Sequence, residues 1–251
     1  MNQFNKITAT HTAHFQEILG AENVFIETDH LKEFGHDETE DLVFPPEIAV
    51  TPRNTKQVSQ VMKYCFDEHI PVTPIGSQTG LSGGALSVFG GVGLSLKKMN
   101  SVLNLDEKNL QITVEPGLIT EEIQNAAAEK GLFYAPDPSS KGSCSIGGNL
   151  AENAGGPRAV KYGVTKDWVL NLEVVLPNGE IIWTGANTLK NSTGYNLTQL
   201  IVGSEGTLGI ITKAVLKLIP AVPNNVSMLA QFDSSVKACE AVSAIFRAGI
   251  T

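Results

Sequence analysis

The stretch PVTPIGSQTGLSGG, residues 71–84, joins a short apolar run directly to a loop of small residues. Before it, residues 55–69 place apolar side chains at helical spacing, and residues 48–51 form another short apolar run that ends at Pro52. A strand, a helix and a second strand in this order predict a small, mainly parallel α/β lobe. The glycine-rich loop then lies at the end of a strand.

This first loop, residues 76–84, has the composition of an anion-binding turn. Small side chains allow successive backbone N–H groups to point into one concavity, and such a nest binds phosphate oxygens. The hydroxyls of Ser77, Thr79 and Ser82 add further donors. No GK[ST] follows and no GxGxxG opens a helix, which disfavours a Walker loop and an NAD-type Rossmann site. Taken alone, the loop also fits a flexible glycine hairpin without a ligand.

The same loop contains the pattern G-x-S-x-G at residues 80–84, which marks the nucleophilic serine of α/β-hydrolases. Those enzymes place their histidine after the serine, whereas every histidine of this chain precedes Ser82. The residues after Gly84 do not begin a helical pattern either. The sequence therefore disfavours a hydrolase.

Two more glycine-rich loops lie downstream. The second loop, residues 136–156, contains a short helical turn with a glycine pair on each side. It carries Asn149 and Asn153, and their i, i+4 spacing predicts that both side-chain amides lie on one helical face. Glycines let a flat ligand approach the backbone, and amides and hydroxyls satisfy its polar edge. Residues 203–212 lead from glycine into a strongly apolar strand. Structural turns explain one such loop well, but they explain three loops at strand ends poorly.

The pattern from Gly93 onward predicts a second, largely antiparallel lobe. The turn Pro177-Asn178-Gly179 between apolar runs indicates a hairpin. Strands are predicted at residues 93–96, 102–106, 111–115, 169–176, 180–184 and 208–218, and helices at 120–130, 148–153 and 198–202. We also predict a surface helix up to about Gly20 and an acidic loop at 27–41. A further strand at 226–232 and a helix at 234–248 are expected to open another unit.

Composition excludes several classes of protein. The 251 residues are 42% hydrophobic, which is enough for a sizeable core, and the net charge of −8 provides no basic patch for nucleic acid or anionic lipid. No secretory signal is visible, and no run reaches the ~18 apolar residues of a membrane span. The three cysteines are far apart and show no zinc spacing, so we expect reduced thiols in the cytoplasm.

Three weaker candidates have simpler explanations or remain open. His11 and His14 lack a third ligand nearby, so no metal site is predicted. Cys144 has no histidine near it in sequence and is expected to be a packing residue and not a nucleophile. Lys190 either contacts a phosphate or lies on the surface.

The three loops and the segments between them form one combined pattern. It comprises GSCSIGGN at 142–149, NAGG at 153–156, KYG at 161–163, LEVVLPNG at 172–179, TGYN at 193–196 and GSEGTLGIIT at 203–212. From about Val43 to the C-terminus, this pattern resembles FAD-linked oxidases with the PCMH-type (vanillyl-alcohol oxidase-like) flavin fold. Within them it is most similar to D-2-hydroxyglutarate dehydrogenase, D-lactate dehydrogenase and the glycolate oxidase D subunit.

The resemblance implies an α+β fold of two lobes, a small mainly parallel α/β lobe and a larger antiparallel sheet lobe with helices, with FAD between them. It divides the chain into an N-terminal helix and acidic segment (1–42), the FAD-binding domain (43–221) and the start of a truncated cap domain for the substrate (222–251). The implied cofactor-binding residues are Ile75, Gly76, Ser77, Gln78, Thr79, Gly80, Leu81, Ser82, Pro116, Gly117, Pro138, Ser143, Cys144, Gly147, Gly148, Asn149, Asn153, Ala154, Gly155, Gly156, Glu205, Gly206, Ile210 and Ile211.

Departures from the family pattern define what the chain is expected to lack. Ile75 stands where many relatives have arginine, and Asn196 stands where aspartate is more usual. No histidine occupies the first loop, so FAD is expected to be non-covalent. No residue is a convincing catalytic base for a 2-hydroxy acid, a role that requires a positioned group. The alternative to an FAD-dependent 2-hydroxyacid dehydrogenase is thus a non-catalytic flavin-binding subunit that needs a partner. An electron-accepting partner at a membrane and self-association through apolar C-terminal residues are further expectations.

Overall fold

A computed structural model describes residues 4–221 and 226–249, which form eight α-helices and eleven strands. The helices are α1 (Ala9–Leu19), α2 (Thr28–Glu33), α3 (Thr55–Asp67), α4 (Thr120–Ala128), α5 (Ile146–Glu152), α6 (Ala159–Tyr162), α7 (Leu197–Ile201) and α8 (Ser235–Arg247). The strands are β1 (Val24–Phe25), β2 (Ile48–Val50), β3 (Val72–Ile75), β4 (Val92–Ser95), β5 (Val102–Asp106), β6 (Gln111–Val114), β7 (Leu132–Phe133), β8 (Val169–Val175), β9 (Ile181–Trp183), β10 (Ile210–Lys217) and β11 (Ile219–Pro220). The α+β prediction is confirmed.

The first sheet has the order β1-β2-β4-β3 and is mainly parallel, as predicted. Only β1 runs antiparallel to its neighbour; β4 pairs in parallel with both β2 and β3. The prediction that residues 93–96 belong to the second lobe is wrong, because β4 lies in the middle of this sheet. All four residues of β4 are buried, as expected for a strand covered on both faces in a parallel sheet.

Helices α1 and α3 cover one side of the first sheet. The buried face of α3 carries Val58, Val61, Met62 and Cys65, while α1 contributes Phe15, which is fully buried. Burial of a side chain of this size stabilises the fold by about 1.5–3 kcal/mol. Helix α1 starts at Ala9, because the Thr8 side chain accepts a hydrogen bond from the His11 backbone and the His11 ring accepts one from the Thr8 backbone.

The acidic segment contains a helix where a loop is predicted, and this prediction is wrong. Helix α2 turns Leu31 inward, and Phe34 follows at its end. Both side chains pack with Ala49 and Ile75 in a small apolar cluster. The charged residues around this apolar pair conceal its i, i+3 spacing in the sequence.

The second sheet has the order β5-β6-β10-β8-β9, and every neighbouring pair is antiparallel, as predicted. The predicted hairpin joins β8 to β9, where the Leu176 N–H donates to the Glu180 carbonyl at 2.8 Å. Helix α5 packs Ile146 and Leu150 into the core beneath this sheet. Val175 and Ile210 of the second sheet also belong to the core of the first lobe, so the two lobes share buried surface.

The C-terminal residues follow the prediction only in part. The helix expected at 234–248 is confirmed as α8, and the Ser234 hydroxyl caps it by accepting the Lys237 N–H. Residues 226–232 form no strand, contrary to the prediction, and all of them are exposed. A strand requires a hydrogen-bonded neighbour, and the described chain offers none at this position. None of the described helices is long and apolar enough to cross a membrane.

Candidate functional site

The three glycine-rich loops converge on one cleft made of two adjoining cavities. The larger cavity measures about 500 Å³ and the smaller about 70 Å³, and both include Gly76 and Gly148 in their walls. The larger cavity is lined by Asp37, Gly76, Ser77, Gln78, Thr79, Gly80, Leu81, Ser82, Gly84, Ala85, Pro138, Ser140, Ser145, Gly148, Asn149, Glu152, Ala154 and Gly155. Loops that are distant in sequence therefore face a common groove.

The smaller cavity is an apolar slot between the lobes. Its walls are Pro74, Ile75, Gly76, Leu96, Pro116, Gly147, Gly148, Ala151, Ser204, Gly206, Gly209, Ile210 and Ile211. Gly206 has φ of +72°, and a Cβ there would overlap the Pro74 ring. The third loop can therefore approach the strand that leads into the first loop only because residue 206 is glycine.

The first loop is held in place by the end of α2 and the segment that follows it. Gln78 has a left-handed φ of +60°, and its side-chain amide donates to the Glu33 carbonyl at 2.9 Å and to the His36 carbonyl. The Asp37 carboxylate accepts the Gly83 N–H at 3.0 Å. These contacts hold the loop in a strained conformation that a free peptide would rarely adopt.

One face of α5, together with Ser145 immediately before the helix, forms a polar wall of the larger cavity. Ser145, Asn149 and Glu152 lie at i, i+4 and i+7, so their side chains share this face. The Ser145 hydroxyl is buried and has no hydrogen-bond partner among the described residues. The Asn149 side-chain amide donates to Thr120 Oγ1 at 2.6 Å, and the Glu152 carboxylate accepts from the Ser82 hydroxyl at 3.0 Å.

Asn153 does not share this face, contrary to the prediction that both amides point the same way. Helix α5 ends at Glu152, and Asn153 takes the left-handed conformation that terminates it, with φ of 52°. Its side-chain oxygen accepts the Lys166 N–H at 2.9 Å. The helical spacing between Asn149 and Asn153 therefore does not place both side chains on the cavity.

The other predicted residues outside both cavities lie behind or beside the walls. The Gly117 N–H donates to the Met99 carbonyl, and Ser143 is exposed. A Cβ at Gly156 would overlap the Asp137 carbonyl oxygen, so this glycine permits close packing of two backbones. The Glu205 carboxylate lies beside Gly84 at the margin of the larger cavity.

Several wall residues are absent from the cofactor-binding residues that the family resemblance implies, although most of them lie within the three predicted loops. These are Pro74, Leu96, Ala151, Ser204 and Gly209 in the slot, and Asp37, Gly84, Ala85, Ser140, Ser145 and Glu152 in the larger cavity. Helical spacing from Asn149 identifies Ser145 and Glu152 once α5 is known to end before Asn153. Asp37 gives no such signal, because it comes from a segment far away in sequence.

The weaker candidates lie away from these cavities. Lys190 is exposed and lines neither cavity. Cys144 is buried with its Sγ 3.5 Å from Thr120 Oγ1, which agrees with a packing role. His11 is engaged in capping α1. The described residues contain no group of three His, Cys, Asp or Glu side chains arranged to hold a metal ion.

The charged side chains that line the larger cavity are acidic. Asp37 and Glu152 are its charged residues, and its described lining contains no lysine, arginine or histidine. An anionic ligand in this cavity would therefore be held by backbone N–H groups and hydroxyls, not by cationic side chains.

Comparison with known proteins identifies the class to which this cleft belongs. The sequence matches the family described as FAD binding domain over residues 46–185. It is 46% identical to glycolate oxidase subunit GlcD of Bacillus subtilis over 86% of this chain and 46% of that protein. It is 43% identical to D-lactate dehydrogenase of Anaerostipes hadrus over 92% of this chain and 49% of that protein.

The fold is similar to that of p-cresol methylhydroxylase solved with substrate bound, with a TM-score of 0.79 and 26% identity over 93% of this chain and 47% of that one. The chain thus belongs to the family of FAD-binding domains with the PCMH-type fold, and FAD is its cofactor. It spans about half the length of the two relatives.

Proposed function

We propose that this chain is the FAD-binding part of an oxidoreductase that transfers a hydride from a 2-hydroxy acid to flavin. The names of the two relatives support the substrate class, since glycolate and D-lactate are both 2-hydroxy acids. The single observation that carries the proposal is the convergence of the three glycine-rich loops on one cleft.

The residues of the cleft fit FAD in three respects. The first loop offers a nest of backbone N–H groups for the pyrophosphate. The slot between the lobes is apolar and lined by glycine backbone, which suits one face of a flat ring. The buried Ser145 hydroxyl lacks a hydrogen-bond partner in the part of the chain that the structure describes, and a buried polar group of this kind requires one.

On this basis we assign the loop 76–82 to the pyrophosphate and Pro116 to the adenosine part. Pro138, Gly147, Gly148, Asn149, Ala154 and Gly155 are assigned to the ribityl chain and ring, and Gly206, Ile210 and Ile211 to the closure of the site. Gly117, Ser143, Cys144, Asn153, Gly156 and Glu205 act as supports behind or beside these walls. Because no histidine lines the cleft, we propose that FAD is bound without a covalent link.

The bound flavin supplies the hydride acceptor, and the chain supplies binding and orientation. Oxidation of a 2-hydroxy acid also requires a base for the hydroxyl proton and a group for the carboxylate. Since the larger cavity is acidic and has no cationic lining residue, we propose that another part of the protein or a partner provides these groups. This observation also favours the second candidate function, a flavin-binding subunit that is not catalytic by itself.

Two measurements test these proposals. Purified protein incubated with excess FAD and desalted should retain a flavin absorbance spectrum, and acid precipitation should release the flavin into solution. A colourless protein overturns the cofactor assignment, and flavin that stays in the pellet overturns non-covalent binding. Dye reduction with glycolate, D-lactate and D-2-hydroxyglutarate then separates the two candidates. Turnover by the isolated chain excludes the non-catalytic subunit.

We further propose three functional units: residues 1–42, the FAD-binding unit 43–221, and residues 222–251 as the start of a substrate-binding unit. The assembled enzyme is proposed to work in the reducing cytoplasm and to pass electrons to a separate acceptor at the membrane. The three free cysteines support the reducing location, since none forms a disulfide. Fractionation of cells that express the protein tests the location.

A further inference from the structure

The side-chain amide of Asn149 is fixed from behind by a residue that does not touch the cleft. Thr120, at the start of α4, is fully buried, and its Oγ1 lies 2.6 Å from Asn149 Nδ2. The Thr120 hydroxyl donates to the Cys144 carbonyl at 3.4 Å, and the Thr120 backbone N–H donates to the same carbonyl at 3.1 Å. A hydroxyl has only one proton, and here it is donated to the Cys144 carbonyl. Thr120 Oγ1 is therefore the acceptor of the hydrogen bond from the Asn149 side-chain NH₂ group.

This arrangement determines which end of the amide is presented to a ligand. The NH₂ group faces Thr120, so the carbonyl oxygen is the end left for the cavity that Asn149 lines. No described residue donates a hydrogen bond to this oxygen, and it is not among the buried atoms without a partner. Asn149 is 4% exposed and lines the larger cavity.

A second, independent feature of the same wall indicates a polar ligand group at this place. Ser145 lies one helical turn before Asn149 and also lines the larger cavity. The residue is 2% exposed, and its hydroxyl has no hydrogen-bond partner among residues 4–221 and 226–249. The Ser145 hydroxyl can donate or accept a hydrogen bond, whereas the Asn149 carbonyl oxygen can only accept one. Together they match a ligand group that has a hydrogen-bond donor next to an acceptor.

We propose that Thr120 is a positioning residue that directs the Asn149 carbonyl oxygen into the cleft, where it selects a hydrogen-bond donor of FAD. FAD carries such donors at the ring N3–H and at the ribityl hydroxyls. This inference rests on FAD binding in the cleft and is independent of which 2-hydroxy acid is oxidised.

The test measures selectivity, because a structural role for Thr120 would weaken all ligands alike. Dissociation constants are measured by flavin fluorescence for FAD, for N3-methyl-FAD, which lacks the ring donor, and for 2′-deoxy-FAD, which lacks a ribityl donor. The unmodified protein should bind one of the two analogues about tenfold more weakly than FAD. The weaker analogue identifies the donor.

Three variants then locate the origin of the selectivity. Thr120→Ser keeps the hydroxyl and should keep the tenfold preference, whereas Thr120→Val should reduce it to about threefold or less. If Thr120→Val does not fold, Asn149→Leu should show the same loss, and Asn149→Asp, which keeps an acceptor oxygen, should retain the preference.

Two results would overturn the proposal. One is equal binding of FAD and both analogues by the unmodified protein, which leaves the FAD site itself intact. The other is an unchanged preference in Thr120→Val or in Asn149→Leu. If the unmodified protein does not bind FAD, both the assignment of the cleft to FAD and this inference are wrong.

Discussion

Thr55 and Glu173 join the two lobes through a hydrogen bond of 2.6 Å from the Thr55 hydroxyl to the Glu173 carboxylate. Thr55 begins α3 above the first sheet, and Glu173 lies in β8 of the second. The same carboxylate accepts from the Thr212 hydroxyl at 2.9 Å and from Lys213 Nζ at 3.0 Å. A buried carboxylate with these three partners fixes the two lobes to each other.

We expect Thr55→Val to lower the free energy of unfolding by about 1.5–3 kcal/mol, because it removes a hydrogen bond to a charged group. Thr55→Ser retains the hydroxyl and serves as the control. Urea unfolding, followed by tryptophan fluorescence, measures the difference. Equal stability of the two variants would show that the link contributes little.

Replacement of Gly206 tests the close approach of the third loop to the first lobe. Gly206→Ala introduces a Cβ that overlaps the Pro74 ring, and it also strains a backbone at φ +72°. Gly194 has the same φ and no atom within 4 Å of its Cβ position, so Gly194→Ala reports the backbone strain alone. That strain costs about 1–2 kcal/mol. We expect Gly206→Ala to lose more stability than this, and at least about tenfold in FAD affinity. Identical behaviour of the two variants would contradict the proposed contact.

The acidic lining of the larger cavity predicts that removal of a negative charge increases the affinity for FAD. Glu152→Gln should tighten FAD binding by about threefold to tenfold, since it removes about 1 kcal/mol of repulsion toward the pyrophosphate. Glutamine still offers an acceptor to the Ser82 hydroxyl. Glu129→Gln, an exposed substitution at the end of α4, should leave the affinity unchanged.

The salt dependence of FAD binding tests independently whether the phosphates are held by backbone N–H groups and not by cationic side chains. Binding through backbone N–H groups near two carboxylates should not weaken as ionic strength rises, because salt screens the repulsion. FAD titrations at low and high salt measure this. A marked loss of affinity at high salt would indicate a cationic side chain at the phosphates.

Burial raises the pKa of the Cys65 thiol to about 12, from 9.0 in an unperturbed side chain. Below pH 9 the thiol is protonated in both states and the associated stability is fully present. Between pH 9 and 12 the unfolded chain releases a proton that the folded chain retains, so the free energy of unfolding should fall by up to about 1.4 kcal/mol per pH unit.

Denaturant unfolding across this pH range compares Cys65→Ala with Cys239→Ala. The first variant removes the buried thiol and should decline less steeply with pH, while the second removes an exposed thiol and should keep the decline of the unmodified protein. Parallel profiles for the two variants would exclude Cys65 as the cause.

The apolar residues of α8 are expected to cause self-association. Val242, Ile245 and Phe246 lie near one another at helical spacing and are 52%, 47% and 42% exposed. The double substitution Val242→Lys and Ile245→Glu should reduce the average mass in light scattering at high protein concentration. Ser243→Lys adds a charge next to this row and should have a smaller effect. A monomer at every concentration for the unmodified protein would disprove the expectation.

Local patterns explain what the sequence predicts well. The Pro177-Asn178-Gly179 turn specifies its hairpin because the turn chemistry lies within three residues. The sequence places the three loops next to predicted strands, and the structure brings them to adjoining cavities although β3, β7 and β10 belong to different sheets. The resemblance to known flavoproteins predicts FAD as the cofactor, whereas composition and spacing alone do not identify it.

Long-range contacts explain what the sequence does not predict. Nothing near Asp37 in the chain indicates that it reaches Gly83, because the contact depends on how α2 packs against Ile75. Asn149 and Asn153 look equivalent by spacing, and only the left-handed end of α5 separates their roles. The placement of β4 likewise depends on strand pairing across the first sheet.

The anchoring of the first loop by Gln78 and Asp37 has a consequence for how the holoprotein is assembled. The entropy lost in ordering this loop is already offset by the protein's own contacts, so FAD does not have to supply it. The first loop is therefore held in one conformation by the protein itself, before any ligand is bound.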